Sequence, residues 1–191
     1  MFNNQRILIT GGTGSWGMEI TKQLLEKYDP KQIVIYSRGE FAQVTMSRLF
    51  KNPKLKFVIG DVANFETLSF AMRDIDIVFH LAALKHVPIC EDNPWQSINT
   101  NIIGTQNVVR AAINNGVKLV VDCSSDKACA PVNMYGLCKA IGERLIIRGN
   151  QETNKTKFVC TRAGNVMGTR GSIVPLFMEL IGRGEDIPIT D

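Results

Sequence analysis

Short apolar runs alternate with stretches of helical periodicity along the chain. The apolar runs, rich in β-branched residues, predict strands at 6–10, 32–37, 55–60, 76–82, 118–124 and 157–162. Between them, apolar residues recur at helical spacing and predict helices at 15–28, 40–50, 65–73, 94–115, 133–149 and 172–183. Strict alternation of strands and helices is typical of a parallel sheet covered by helices on both faces. The predicted fold class is therefore α/β, with a doubly wound parallel sheet.

The composition fits one domain over residues 1–191, with 45% hydrophobic and 21% charged residues. The net charge of +4 suits an anionic ligand, but no run of lysine and arginine indicates nucleic-acid binding. The five cysteines show neither C-x-x-C nor zinc spacing, so we expect free thiols and no metal. The sequence shows no signal-peptide core and no apolar run of membrane-spanning length. We therefore expect a cytoplasmic protein without a membrane segment.

A glycine-rich turn, TGGTGSWG at 10–17, joins the first strand to the first helix. Its glycines allow a tight turn and let a pyrophosphate approach the helix N-terminus, which predicts a dinucleotide site in a Rossmann-like fold. The cofactor candidates of this loop are Gly11, Thr13, Gly14, Ser15, Trp16 and Gly17. The G-x-x-G-x-x-G spacing resembles the extended, nucleotide-sugar branch of the short-chain dehydrogenases/reductases. A glycine-rich turn without a ligand is the alternative.

The end of the second strand, YSRGE, bears on which dinucleotide binds. An NAD-selective site places an Asp or Glu there to bind the ribose 2′-hydroxyl. Ser37 and Arg38 stand there instead, and a hydroxyl and a guanidinium suit a 2′-phosphate. We therefore expect NADP rather than NAD, with a solvated surface arginine as the alternative. In the resembled branch an Asp after the third strand binds adenine, which makes Asp61 and Val62 adenine-pocket candidates.

The segment SSDKACAPVNMYGLCK, 124–139, concentrates hydroxyl and ionisable groups. Tyr135 and Lys139 lie one turn apart on one face of a predicted helix, where the ammonium favours the phenolate. Such a tyrosine can take the proton of an alcohol while a hydride leaves for a nicotinamide. A hydroxyl at the end of the fifth strand, from Ser124 or Ser125, can hydrogen-bond the substrate oxygen.

The doublet Asp126-Lys127 adds an acid and a base that a simple alcohol dehydrogenase or an epimerase does not need. It follows a strand directly, and doubly wound folds bind ligands at the carboxyl ends of their strands. Sugar 4,6-dehydration needs such a pair. Oxidation at C4 acidifies the C5 proton, a base removes it, an acid protonates the departing C6 hydroxyl, and the hydride returns to C6. A surface ion pair in a loop is the alternative.

Seven motifs together resemble the UDP-N-acetylglucosamine 4,6-dehydratases of bacterial surface-glycan pathways. They are GGTGSWG, YSRGE, GDV, LAALKHVP, NTNIIGT, SSDKA…YGLCK and TRAGNVMGTRGSIVPLF, and they span essentially the whole chain. The resemblance favours the soluble branch, which includes the inverting enzymes. It implies that Asp126 is the C6-side acid and Lys127 the C5 base. It further implies a C4 oxidation pair, Tyr135 and Lys139, and a catalytic hydroxyl from Ser125 where the family has threonine.

The same resemblance implies further ligand contacts. Additional cofactor candidates are Leu81, Ala82, Ala83, Lys85 and Asn101, together with Tyr135 and Lys139. We expect Asn101 to brace the catalytic loop through backbone hydrogen bonds. The candidates for contacts with a UDP-sugar are Lys85, His86, Asn165 and Arg170. A hydrogen-bonded loop histidine remains open for His86, and a surface arginine for Arg170.

Relatives pair the helices near 94–115 and 133–149 into a four-helix dimer interface. In this chain those helices carry apolar residues beyond one stripe: Ile102, Ile103, Val108, Val109, Leu137, Leu145, Ile146 and Ile147. We therefore expect a homo-oligomer. Family members continue past residue 191, so the resemblance implies that the substrate-binding C-terminal portion is largely missing. Two alternatives to a dehydratase stay open: a nucleotide-sugar epimerase or reductase, and a catalytically silent NADP-binding fragment.

Overall fold

The computed structural model describes residues 1–169 and 172–187. Within these residues, six parallel strands form a sheet: β1 Arg6–Thr10, β2 Gln32–Ser37, β3 Leu55–Ile59, β4 Ile77–His80, β5 Leu119–Ser125 and β6 Lys157–Ala163. The spatial order is β3-β2-β1-β4-β5-β6. From β1 the strand order runs outward in one direction through β2 and β3, and then in the opposite direction through β4, β5 and β6. Doubly wound folds bind ligands at such a switch point, which lies here between β1 and β4. The predicted α/β, Rossmann-like class is confirmed.

The helices lie close to their predicted positions. They are α1 Ser15–Lys27, α2 Glu40–Phe50, α3 Phe65–Ala71, α4 Val87–Asp92, α5 Pro94–Ile98, α6 Gly104–Asn115, α7 Met134–Glu152 and α8 Ile173–Arg183. A π-helical turn, Asn99–Ile103, joins α5 to α6 within the helix predicted at 94–115. The short helix α4 lies where the pattern predicted none. Throughout the described part of the chain, every helix is too short or too polar to cross a membrane.

Alternate residues of the central strands feed two apolar layers, one on each face of the sheet. On one face Leu8, Val34, Val78 and Val120 pack in a cluster that also contains Ile146 of α7. On the other face the isoleucines of β1 and β2 pack against the leucine and methionine of the covering helices: Ile7, Ile9, Ile33, Ile35, Leu24 and Met46. Because both faces are buried, the strands read as continuous apolar runs in the sequence.

Burial corrects part of the predicted oligomer surface. Val108, Val109 and Ile146 are at most 1% exposed and belong to the core of this chain. They face the sheet, so they cannot also face a second copy. The large apolar residues of these helices that remain exposed are Trp95, Ile103, Leu137, Ile141 and Ile147.

Candidate functional site

A cleft of about 970 Å³ opens at the carboxyl ends of the strands. It is lined by the β1–α1 turn, by residues at the ends of β2 to β5, by the start of α7 and by the segment after β6. The predicted cofactor, catalytic and substrate residues line this cleft, with three exceptions. Asp126 and Asn101 do not contribute to its wall, and Arg170 lies outside the described residues. Residues far apart in the sequence thus meet in one cavity.

The glycine loop passes close to neighbouring backbone. Gly11 has a φ of +64°, and a Cβ added to it would lie 2.8 Å from the amide nitrogen of Ala82. A Cβ on Gly17 would lie 2.3 Å from the carbonyl oxygen of Gly12. Gly14 precedes the first residue of α1, and the loop lines the cleft. Bare backbone beside a helix N-terminus is the arrangement that holds a pyrophosphate, so the loop fits a dinucleotide.

The end of β2 is held by a buried amide that the sequence did not single out. Nε2 of Gln43, in α2, donates to the Ser37 carbonyl and hydroxyl oxygens and to the Val58 carbonyl, at 2.8–3.1 Å. This fixes Ser37 in the cleft wall. The Arg38 guanidinium lies 3.7 Å from an Asp61 carboxylate oxygen across the neighbouring strand end. The Arg38 side chain is 60% exposed, so its charge is available at the mouth of the cleft.

A buried histidine connects β1, β4 and α6. Thr105 Oγ1 donates to the Asn101 carbonyl at 2.7 Å, so it accepts from His80 Nε2 at 3.1 Å. His80 Nδ1 then accepts from Thr10 Oγ1 at 2.7 Å, and Thr10 Oγ1 accepts from the amides of 81–82. This chain of donors and acceptors requires a neutral imidazole with its proton on Nε2. It holds the start of the cleft-lining segment that follows β4.

The free energy of unfolding is expected to fall by about 3 kcal/mol as the pH drops from 6.5 to 4, because burial lowers the pKa of His80 from 6.5 to about 4. Nearby Asp122 opposes this shift and Lys139 adds to it. The unfolded chain binds the proton first, so the stabilisation is complete above pH 6.5 and is lost toward pH 4. Urea unfolding at several pH values across this range measures how steeply the free energy of unfolding depends on pH. His80→Gln should flatten this pH dependence, and an unchanged dependence would contradict its attribution to His80.

Asn101 braces the segment after β4 from the π-helical turn. Its Oδ1 accepts from the Leu84 amide and its Nδ2 donates to the Leu84 carbonyl, both at 2.9 Å. Nδ2 also lies 3.4 Å from Ser97 Oγ. Backbone bracing by Asn101 was expected from the sequence for the catalytic loop, but the segment that Asn101 holds follows β4. The cofactor contact predicted for Asn101 stays a prediction, since Asn101 is only 2% exposed and stands behind the wall of the cleft.

The acid–base doublet forms a 3₁₀ turn directly after β5. Ser125 Oγ donates to Asp126 Oδ1 at 2.9 Å, and Lys127 Nζ lies 3.3 Å from the same oxygen. The hydrogen bond from Ser125, followed by the contact with Lys127, lowers the pKa of Asp126 below its ordinary value. Lys127 Nζ also donates to Asn165 Oδ1 at 3.3 Å, in the segment after β6. The doublet is therefore an ion pair with its ammonium at the cleft.

The Tyr–Lys pair faces the same cleft from α7. Lys139 Nζ donates to the Cys123 carbonyl at 2.7 Å and thereby joins α7 to the end of β5. Tyr135 lies one turn earlier on the helix, and both residues are at most 9% exposed. The Tyr135 phenol and the Lys127 ammonium thus share one cavity with the glycine loop. The phenol and the ammonium therefore line the wall that one bound ligand would contact.

Two residues of this region were missed in the sequence. Gln43 holds Ser37, and Glu143 accepts from Ser124 Oγ at 2.6 Å. The Ser124 hydroxyl donates to Glu143, whereas the Ser125 hydroxyl donates to Asp126 of the doublet. The one available signal was that Glu143 lies four residues after Lys139, on the same helix face.

The parallel sheet, the glycine turn and the Tyr–Lys pair on α7 define a Rossmann-like protein of the extended short-chain dehydrogenase/reductase class. Residues 7–191 match the family model described as polysaccharide biosynthesis protein. The chain belongs to this family.

Two curated relatives bear different enzyme names. The UDP-N-acetylglucosamine 4,6-dehydratase (inverting) of Campylobacter jejuni is 52% identical over 194 residues, which cover 100% of this chain and 58% of the relative. A UDP-glucose 4-epimerase of Rickettsia bellii is 47% identical over 196 residues, with the same shares of 100% and 58%. The chain thus spans less than two thirds of either relative. Both names belong to nucleotide-sugar enzymes.

Solved structures agree with the fold over nearly the whole chain. Pen from Bacillus thuringiensis superposes with a TM-score of 0.96 at 43% identity, covering 100% of this chain and 61% of Pen. DesIV from Streptomyces venezuelae, a dTDP-glucose 4,6-dehydratase with NAD and TYD bound, gives 0.84 at 25% identity, covering 94% and 62%. DesIV binds a nicotinamide dinucleotide, which agrees with the coarser expectation of such a cofactor in this fold.

Proposed function

We propose that this chain carries the cofactor site and catalytic groups for NADP-dependent 4,6-dehydration of UDP-N-acetylglucosamine to a UDP-4-keto-6-deoxy sugar. The observation that carries the proposal is the meeting of Lys127 with Tyr135 in one cleft beside the glycine loop. The name of the Campylobacter relative supports the substrate and the reaction. Inversion at C5 and a place in surface-glycan or nonulosonic-acid biosynthesis belong to the same proposal.

Oxidation at C4 uses the α7 pair. Tyr135 takes the proton of the C4 hydroxyl, and the charge of Lys139, held by the Cys123 carbonyl, stabilises the phenolate. Ser125 lies at the end of β5, where its hydroxyl can orient the sugar. The glycine loop with Ser37 and Arg38 would hold a nicotinamide dinucleotide, which would supply a hydride acceptor for C4 and a hydride donor for C6.

Elimination across C5 and C6 uses the doublet. Lys127 must be neutral to take the C5 proton, and Asp126 must be protonated to release the C6 hydroxyl as water. One proton moved from the Lys127 ammonium to Asp126, across the present 3.3 Å contact, produces both forms together. After elimination the lysine is charged and the aspartate ionised, and the ammonium then protonates C5. The proton that Tyr135 took from the C4 hydroxyl passes through solvent to Lys127 and restores the ion pair for the next turnover. Because the ammonium exchanges with solvent before it protonates C5, C5 takes up deuterium in deuterated water.

A nucleotide-sugar 4-epimerase is the second candidate, supported by the name of the Rickettsia relative. An epimerase needs the Tyr135–Lys139 pair but has no step for an acid and a base at C5 and C6. Asp126 and Lys127 therefore favour the dehydratase. The two reactions differ in their products, since only dehydration removes the C6 oxygen.

Proton NMR of the chain with NADP and UDP-N-acetylglucosamine in deuterated water tests the proposal. A 4-keto-6-deoxy product with deuterium at C5 is expected, and its C5 configuration decides between inversion and retention. A C4 epimer with intact C6 oxygen would support the epimerase. Unchanged substrate despite measurable NADP binding would support the cofactor-binding fragment and contradict a complete enzyme in these 191 residues.

Arg38→Ala is expected to weaken NADP binding by about tenfold to a hundredfold and to change NAD binding little. The loss of affinity corresponds to one hydrogen-bonded ion pair between Arg38 and the 2′-phosphate. The substitution also removes the cation between the Asp61 carboxylate and that phosphate. Titration calorimetry with both dinucleotides measures the ratio. Arg48→Ala, on α2 outside the cleft wall, is the control with the same change in net charge. An equal loss for both dinucleotides would contradict NADP selectivity.

A homo-oligomer and a cytoplasmic location complete the proposal. Leu137 and Ile141, one turn apart on α7, are 47% and 45% exposed, and Ile103, the last residue of the π-helical turn before α6, is 42% exposed. Apolar side chains spaced along two neighbouring helices suit pairing with the same helices of a second copy. Sedimentation that finds only monomer at micromolar concentration would contradict this part.

A further inference from the structure

A buried carboxylate joins three segments of the site but takes no part in the proposed chemistry. Glu143 Oε1 accepts from Ser124 Oγ at 2.6 Å and from Arg162 Nε at 2.8 Å. Glu143 Oε2 accepts from Arg162 Nη2 at 2.7 Å. The Glu143 side chain is 9% exposed and that of Arg162 is 54% exposed. The two-pronged bond from Arg162, and next the bond from Ser124, lower the pKa of Glu143 and keep it ionised.

Each partner of Glu143 directly adjoins a reactive segment. Ser124 is followed immediately by Ser125 and the doublet at 126–127. Arg162 pairs with Ser124 in the parallel register of β5 and β6, and it lies three residues before Asn165, which contacts Lys127. Glu143 itself follows Lys139 by four residues on α7, so it lies on the helix face that also carries Tyr135.

We propose that Glu143 is a positioning residue that sets the distance between the C4 oxidation pair on α7 and the acid–base doublet after β5, through its bonds to Ser124 and Arg162. The inference rests on the proposed function and deepens it. Dehydration uses both sets of groups on one bound sugar, and small misplacements between them cost rate steeply. Lys139 joins α7 to the Cys123 carbonyl of β5, and Glu143 adds a direct connection from α7 to the ends of both β5 and β6.

Three variants separate positioning from general stability. Glu143→Gln keeps an acceptor for Ser124 but removes the charge that Arg162 requires. Ser124→Ala removes one bond and retains the ion pair, so it also serves if Glu143→Gln does not fold. Glu152→Gln, on the same helix, removes a carboxylate from an exposed pair with Arg148 and is the control.

The first measurement does not depend on activity. NMR of isotope-labelled lysine and tyrosine is recorded on the folded chain without substrate. In Glu143→Gln the Lys127 and Tyr135 side-chain signals are expected to shift, while those of Tyr28 stay in place. Global destabilisation leaves the signals of the native state unchanged, so the shift reports positioning. A folded Glu143→Gln with Lys127 and Tyr135 signals identical to the wild type would overturn the proposal.

The second measurement follows the reaction. In Glu143→Gln, deuterium uptake at C5 is expected to slow by about tenfold or more, relative to the formation of reduced nicotinamide, while the NADP dissociation constant stays within about twofold. Equal slowing of both steps would overturn the proposal. If the wild type makes no product but the NMR signals shift as expected, the proposed function fails and the geometric role of Glu143 stands.

Discussion

Tyr135→Phe is expected to lower the rate of C4 oxidation by about 10²- to 10⁴-fold, the usual contribution of a positioned general base. The phenyl ring keeps the packing of a residue that is only 9% exposed, so the fold is retained. What is lost is the oxygen that takes the proton from the C4 hydroxyl. A single turnover with excess protein, followed by the absorbance of reduced nicotinamide, measures the step.

The matched control is Tyr28→Phe. Tyr28 is 42% exposed and lies edge-on to Phe2, away from the cleft wall. Its hydroxyl has no role in the proposed chemistry, so the same chemical change should leave the rate unchanged. If Tyr135→Phe retained a rate within about tenfold of the wild type, another group would have to act as the base. The proposal that Tyr135 of α7 is the general base would then be wrong.

Gly17→Ala is expected to weaken NADP binding by at least about tenfold and to destabilise the fold by about 1–3 kcal/mol. The added Cβ would lie 2.3 Å from the Gly12 carbonyl oxygen and 2.5 Å from its carbonyl carbon. These are backbone atoms of the turn itself, so no side chain can move aside. Either α1 shifts or the turn opens, and both changes would displace the amides proposed to hold a pyrophosphate.

Gly182→Ala provides the comparison for this substitution. Gly182 also lies within a helix, α8, and a Cβ there meets no atom within 4 Å. The change should leave NADP affinity unchanged and slightly favour the helix, since alanine is the better helix former. Calorimetric titration and thermal unfolding measure both effects. A Gly17→Ala protein that binds NADP like the wild type would contradict the proposed role of the turn.

The sequence predicted the parts of the site that depend on local spacing. Tyr135 and Lys139 share a helix face because four residues make about one turn, whatever surrounds them. The β1–α1 turn was predicted because several glycines at a strand–helix junction are typical of a tight turn that binds a pyrophosphate. The strands were predicted because burial of both faces of a parallel sheet makes each strand a continuous apolar run in the sequence. The break in the helix at Asn99–Ile103 was not, because it accompanies contacts of Asn101 with a distant loop.

The sequence by itself determined the α/β alternation, the position of the glycine turn and the candidate catalytic residues, since each follows from neighbours along the chain. The tertiary structure alone decided how those residues are held. Glu143 meets Ser124 and Arg162, each 19 residues away, and Gln43 reaches Val58 across 15 residues. It also decided that Val108 and Ile146 belong to the core while Leu137 and Ile141 remain exposed. Such contacts depend on which faces the packed helices present, and no periodicity within one segment specifies the partner on another.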